Sequence, residues 1–593
     1  VNPVAVSSMG YKDTFESTIV ANLDFDQKLD FITKGLSFKA LISFKNWSYN
    51  SKYRLQGYNT YQLTDYTKNE DGTYNYTVNS IGDATNHTLD SFFGTDGDRR
   101  FYIQGYFNYD RAFGDHHVGG MLLYNQDEYN SNVNSSLLNS LPKRRMGIAV
   151  RAAYDYANRY LFEFNAGYNG SENFAKGHRF GFFPSVSVGW NISQEKFWEP
   201  IRNIVSNFKI RGSYGLVGND QVPYTRFLYM GITTLNDSPS YQTGYGSHKE
   251  SHNGPTFSRF ENEDMTWEVG HKLNVGADIQ LFNSLNLTVD AFREIRSNIL
   301  TTKGSIPNYL GAAKTVIYGN FAKVKNWGVD LAVDYGKQIN RDLSIQFKGT
   351  FTFARNRVME TDEAADIRPA LSAVGKPLNT LWGYVADGLY IDEADIANNP
   401  TSTLGNITIA AGDVKYVDQP DVNGNYDGQI DSDDRVAIGH PTIPEIIYGF
   451  GPSITWKKWD FSVFFQGQAN VSLMMSGFEP FGTQSKNNVL EWIAEDYWSK
   501  ENQNPNAKYP RLTKYNNNNN MQSSTYWLRN AAFLKLKNAE VGYNFKWGRV
   551  YMSGTNLLTF SPFKLWDPEM GGGKGMAYPT QRTCNLGVQT TFK

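Results

Sequence analysis

Arg145-Met146-Gly147-Ile148-Ala149-Val150-Arg151-Ala152-Ala153-Tyr154-Asp155-Tyr156, then Ala157-Asn158, then Arg159-Tyr160-Leu161-Phe162-Glu163-Phe164-Asn165-Ala166-Gly167-Tyr168, is the stretch whose reading decides the fold. Met146, Ile148, Val150, Ala152, Tyr154 and Tyr156 alternate with Arg145, Gly147, Ala149, Arg151, Ala153 and Asp155. Past Ala157-Asn158 the alternation resumes, with Tyr160, Phe162, Phe164, Ala166 and Tyr168 on one face and Arg159, Glu163, Asn165 and Asn169 on the other. Such period-two alternation is a strand with one apolar and one polar face, and a two-residue break between two such runs makes a hairpin. In a soluble sandwich the apolar face packs on a second sheet. In an outer-membrane barrel it meets lipid while the polar face lines a wide lumen.

The same alternation recurs from Phe101 to Asp110, Pro184 to Ile192, Leu273 to Leu281, Leu285 to Ala291, Leu343 to Phe353, Trp459 to Gln466 and Asn585 to Phe592. It gives about 17 strands in all by this pattern. Short turns are expected at Ala157-Asn158, Asn283-Ser284, Lys457-Lys458 and around Trp547-Gly548, with long polar segments at 221–265, 360–445 and 474–532. Short turns at one end and long loops at the other mark a barrel, whereas a sandwich closes both ends comparably. Trp456 and Trp459 flank Lys457-Lys458, and Tyr154 and Tyr156 lead into their turn, which suits a membrane interface. The final strand ends near an aromatic, Phe592, with Lys593 after it.

The 593 residues are 15% aromatic and 40% hydrophobic, with a mean hydropathy of −0.50. No run of apolar residues is long enough for a helix to span a bilayer, but a barrel tolerates this polarity because half of each strand and most of each loop face water. A net charge of −2 leaves no nucleic-acid footprint. The one cysteine, Cys584, excludes an internal disulfide. Val1-Asn2-Pro3 is no signal peptide, so a barrel bound for an outer membrane is expected to be the later part of a longer protein.

One long stretch, Tyr526-Trp527-Leu528-Arg529-Asn530-Ala531-Ala532-Phe533-Leu534-Lys535-Leu536-Lys537-Asn538-Ala539-Glu540-Val541-Gly542-Tyr543, resembles the SusC/RagA-type TonB-dependent outer-membrane transporters of Bacteroidetes. So do Val550 to Phe560, Asp567-Pro568-Glu569, Tyr578-Pro579, Gly412-Asp413-Val414-Lys415-Tyr416-Val417-Asp418 and Asn2-Pro3-Val4-Ala5. The resemblance covers the whole chain, residues 1–593, as the C-terminal portion of the receptor β-barrel. It implies an all-β fold: most strands of a large antiparallel transmembrane barrel of 22 strands in that family, with long extracellular loops and short periplasmic turns. It also implies a plug domain, a SusD-like surface lipoprotein as a lid, and import of oligosaccharides or peptides driven by the TonB complex through the plug. No plug and no TonB box stand in this sequence, and its strands are too few; the remainder is expected before Val1.

Within 360–445, Asn423-Gly424-Asn425-Tyr426-Asp427-Gly428-Gln429-Ile430-Asp431-Ser432-Asp433-Asp434 follows calcium-loop spacing. Asn423, Asn425 and Asp427 would supply side-chain oxygens, Gln429 its carbonyl, and Asp431 and Asp434 carboxylates, around a structural Ca²⁺; a polar Asn/Gly turn without an ion is the alternative. His248-Lys249-Glu250-Ser251-His252 and Asp115-His116-His117 read as solvated loops rather than zinc sites. Asn516 to Asn520 reads as an exposed low-complexity loop, and Asn488 to Lys500 (Val489, Leu490, Ile493, Ala494, Tyr497) as a short helix within 474–532. Trp382, Tyr384, Tyr390, Phe478, Phe481 and Trp492 are candidate substrate or partner contacts, or else pack loop on loop. No nucleophile elbow, phosphate loop or Cys–His pair is present, so no catalytic residue is assigned. The competing reading is a non-transporting surface protein, a glycan-binding or adhesin β module.

Overall fold

The computed structural model describes residues 3–82, 89–132, 137–222, 226–304, 316–364, 367–405, 408–477, 489–513 and 517–591. One 17-stranded sheet dominates it. Each wall strand pairs antiparallel with the next, from Gly10–Lys28 against Leu36–Leu55 at one end to Gly548–Phe560 against Thr583–Thr590 at the other. Among the described residues the first and last of these strands do not pair with each other, so the barrel wall is open along one seam.

The hairpin read at Arg145 to Tyr168 is Lys143–Tyr156 against Tyr160–Ser171, with Val150 opposite Ala166 and Tyr154 opposite Phe162 on one face and Arg151 opposite Asn165 on the other. Ala157 and Asn158 take φ of 51° and 55°, the doubly left-handed turn that matches strand twist. The turn expected at Asn283-Ser284 falls one residue earlier, on Phe282 and Asn283, both at φ 52°, and Ser284 N–H closes it on the Leu281 carbonyl at 3.0 Å. Gly548 opens a strand, so that turn is Lys546-Trp547. Ile192 leaves the strand Phe180–Asn191 and is buried in a single 3-10 turn.

Connections alternate in length along the wall, except that 172–179 is shorter than the 192–204 that follows it. At one end they are brief, as at 114–115, 341–342, 457–458 and 546–547, the longest being 192–204; at the other they run over 56–89, 220–267, 361–445, 470–532 and 561–582. Two of the long ones carry their own hairpins, Thr60–Lys68 with Tyr74–Gly82 and Ile232–Thr243 with Glu250–Arg259.

The apolar face of the wall has no second protein layer. Phe162 is 45% and Val188 56% exposed, and Leu287 is half-buried. Exposed Trp190, Trp456, Trp459 and Trp547 stand near the short-turn end, where an aromatic girdle meets the membrane interface. Buried apolar side chains collect instead in the long connections. One cluster gathers Val471, Leu473, Met475, Ile493, Tyr509 and Trp527; the other gathers Tyr384, Leu389, Val414, Tyr416, Ile430 and Trp498. An apolar surface this large, left uncovered on a sheet whose loops bury their own core, needs an apolar solvent. No described helix is long and apolar enough to cross a membrane; in this fold the strands cross.

Candidate functional site

The polar face of the wall lines the lumen, and its charges are tied across strands. Arg211 reaches Asp290 through both terminal nitrogens at 2.7 Å and Asp278 at 3.1 Å. Arg151 reaches Glu163 at 2.7 Å, and Arg549 holds Asp460 and Glu540. His117 lies between Asp155, at 3.0 Å, and Asp110, at 3.1 Å. His116 and His117 therefore belong to the strand His116–Ser131 rather than to a loop. Register brings these groups together: Arg151–Glu163 and His117–Asp155 are diagonal or directly opposite on neighbouring strands, whereas Arg211 and Arg549 reach Asp290 and Asp460 one strand further, across the bare backbone of Gly276 and Gly542.

Toward the long-loop end this face opens a cavity of about 530 Å³. Arg145 grips Asp220 at 2.7 and 2.9 Å, Ser171 donates to the same carboxylate at 2.7 Å, and Arg226 holds Glu172. Lys45 and Lys143 line it without an ion pair among the described residues, Lys143 lying 5.8 Å from the Tyr129 ring. Paired charges, amides and a ring face make a surface that binds polar ligands by hydrogen bonds and stacking.

Above the lumen the two longest connections fold into one body, and the stretch around Asp413 and the asparagine run fasten it. Asp413 is fully buried. It accepts from Arg511 at 2.7 and 2.9 Å and from Asn517 and Asn520 at 2.9 Å each. Asn520 accepts the Val414 N–H at 2.8 Å, and Asn519 donates to the Val414 carbonyl at 2.9 Å. The asparagine run expected to be an exposed loop is thus the reverse for Asn517, Asn519 and Asn520, which have no exposed surface; Asn516 lies outside the described residues. Each buried amide both donates and accepts here, which is what lets it leave water. Burial raises the Tyr416 hydroxyl pKa well above its ordinary value, and that hydroxyl donates to the Asn519 carbonyl at 2.7 Å.

The candidate contact residues divide. Tyr384 and Tyr390 are buried, so they pack loop on loop. Trp382 stays half-buried on the short strand Leu381–Gly383. Trp492 is half-buried on a one-turn helix, Glu491–Ala494, its ring centroid 5.1 Å from that of Tyr509. That helix is shorter than the 488–500 spacing suggested. Phe478 and Phe481 lie outside the described residues, as does Phe592. In the calcium-like loop, Asn423, Asn425, Asp427 and Gln429 are exposed, Asp431 is half-buried and Asp434 buried. Among the described residues no three His, Cys, Asp or Glu side chains form a ready-made metal cage. Desolvation raises the Asp434 carboxyl pKa, partly offset by backbone N–H donors, with Asp418 and Asp431 adding to the rise. His248 is exposed in a turn, while His252 sits on the strand Glu250–Arg259, 2.6 Å from Thr243 Oγ1.

A family model described as "TonB dependent receptor-like, beta-barrel" matches residues 5–557. TonB-dependent receptor P3 of Formosa agariphila is 26% identical over 479 residues, covering 74% of this chain and 45% of that protein. TonB-dependent receptor SusC of Bacteroides thetaiotaomicron is 23% identical over 624 residues, covering 100% of this chain and 57% of that protein. The chain thus spans about half the length of the curated relatives it matches. Among solved structures, that of the RagAB peptide transporter aligns with a TM-score of 0.73 at 19% identity, over 99% of this chain and 63% of that one; at that identity the likeness establishes the fold.

Proposed function

The chain belongs to the TonB dependent receptor-like β-barrel family, and from that premise we propose that it is the wall and mouth of a SusC-type importer of oligosaccharides or peptides. It is an outer-membrane barrel and not an enzyme. In the proposed system a SusD-like surface lipoprotein closes over the extracellular loops, and the TonB complex supplies energy through a plug domain. One observation carries the reading: a wall that is apolar outside and laddered with charge inside, under a mouth built from folded loops. Such a wall holds a wet passage in lipid. Its lining suits glycans, whose rings stack and whose hydroxyls find amides and carboxylates, and it suits peptides, whose ends and side chains find both charge signs. Trp382, half-open at the mouth, is the proposed contact of first interest.

The test is uptake. Cells carrying the intact gene are expected to import a labelled oligosaccharide or oligopeptide and to lose import on deletion of the gene, of its lipoprotein partner, or of TonB. Unchanged uptake of every nutrient tried, together with surface binding that persists without TonB, overturns the reading in favour of a binder.

A further inference from the structure

The loop with the calcium-like pattern holds two carboxylates out of water with no cation beside them. Asp418 is 7% exposed and Asp434 is 3% exposed. One Asp418 oxygen accepts the Gly428 N–H at 2.9 Å; the other is buried without a hydrogen-bond partner. Asp434 accepts the N–H groups of Gln419 and Asp431, at 2.7 Å each. The ion pairs formed in this body go to Asp387, Asp395, Asp413, Asp433 and Asp496. Among the described residues none goes to Asp418, Asp427, Asp431 or Asp434. A buried carboxylate with no partner charge is costly to keep.

The fold around these groups changes the donor set read from spacing alone. Asp421 accepts the N–H groups of Asn423, at 2.7 Å, and Asn425, at 2.9 Å, and its own N–H bonds the Asn425 carbonyl at 2.9 Å. Residues 421–425 thus form a self-contained turn that projects outward and takes both asparagines with it. Asp418, at the foot of that turn, is left facing the Gly428 corner, where φ is 74°. Beyond the corner, Ile430 is fully buried in the loop core, and Asp434, its carboxyl pKa raised by burial, sits close enough to Asp418 and Asp431 for their charges to raise it further.

We propose that Asp418, Asp427, Asp431 and Asp434 bind one calcium ion. Calcium takes six to eight oxygens from carboxylates, carbonyls and water in a flexible cage, and the exposed Asp427 carboxylate, one oxygen of which accepts the Gln429 N–H at 2.9 Å, keeps its other oxygen to close such a cage as the ion arrives. The ion would neutralise the buried pair and tie the exit of the strand Val414–Tyr416 to the bridge between Thr401–Ser402 and Gln429–Ile430. The mouth would then be stiffened from inside. Ion binding is measured without any substrate, so this inference stands or falls separately from the transport reading.

The experiment titrates the intact, detergent-purified, EDTA-stripped protein with calcium chloride by calorimetry, and follows cleavage between 418 and 434 by a protease with and without the ion. One calcium per chain is expected, with a dissociation constant of about 10⁻⁴–10⁻³ M as in extracellular calcium modules, and slower cleavage in its presence. Asp418→Asn, which keeps the shape and the Gly428 bond, is expected to weaken binding about tenfold or more while the heat-modifiable gel shift of the folded barrel is retained. Asp421→Asn, outside the donor set, is expected to leave affinity unchanged. No heat of binding up to about 10 mM calcium, or equal affinity in wild type and Asp418→Asn, overturns the proposal.

Discussion

Lys535, with no exposed surface, donates to both carboxylate oxygens of Asp567, at 3.1 and 2.8 Å. It also holds Glu569, and the Phe533 ring centroid lies 5.3 Å from its ammonium. A wall strand, Phe533–Phe545, is thereby bolted to the connection at 561–582. Removing one partner of a buried ion pair costs about 3–5 kcal/mol, because the other charge is stranded. Lys535→Met is therefore expected to open this connection locally and leave the wall intact. Hydrogen exchange reads it: faster exchange confined to 561–582 is the predicted result.

Acidity should act on the same contact. Burial pushes the Asp567 carboxyl up, and the Lys535 hydrogen bonds and charge, with hydrogen bonds from the Glu569 N–H and the Thr580 side chain, together outweigh that and hold it below the ordinary carboxylate range. A carboxyl depressed in the folded state contributes stability above its unfolded value, and that contribution is lost as pH falls through the folded value. Protease sensitivity of 561–582 is thus expected to rise only below about pH 4 in the wild type. Lys535→Met should show no such step, being already loosened at neutral pH.

Asn520 is the second fastener. Replacing it with alanine strands the buried Val414 N–H and removes one donor from Asp413. Each buried group left unsatisfied costs about 1–3 kcal/mol. Trypsin is expected to cut the Asn520→Ala mouth loops well before the wall, whereas a substitution at the exposed Asn425 should leave the digestion pattern unchanged.

Such contacts explain what could and could not be read from the chain alone. Strand and barrel were legible because period-two alternation is local: Phe162 and Glu163 declare opposite faces without reference to any distant residue. Turn positions slipped by one where a bulky residue, Phe282, adopts the left-handed conformation that Asn283 seemed made for. The mouth was misread because Asp413 meets Asn517 and Asn520 across more than a hundred residues, and a run of asparagines looks soluble until its partners are known. Of the motifs that carried the family resemblance, those around Asp413, Trp527 and Asp567 prove to be loop fasteners, and Lys535 ties the wall strand Phe533–Phe545 to one of those loops. Tyr384 and Tyr390 were drawn into the contact set by aromaticity alone, and burial takes them out of reach.

Adjacent residues on one strand should respond oppositely to charge. Val188 faces outward beside Phe162, while Ser187 stands opposite Glu163 and Ser213 on the lumen face. Val188→Arg, two residues inside the interfacial Trp190, is expected to cost about 1 kcal/mol of barrel stability or somewhat more, lowering the heat-modifiable fraction in urea. Ser187→Arg, hydrated and beside Glu163, should be close to neutral.

The most direct test asks what touches the apolar face. With the exposed Cys584 replaced by serine, Val188→Cys and Ser187→Cys are each labelled with a small fluorophore in reconstituted vesicles and exposed to quenchers carried either on lipid chains or in water. The account predicts quenching of the Val188 probe by lipid and of the Ser187 probe by the aqueous reagent. A Val188 probe shielded from lipid, whether buried under protein or open to water, would contradict it.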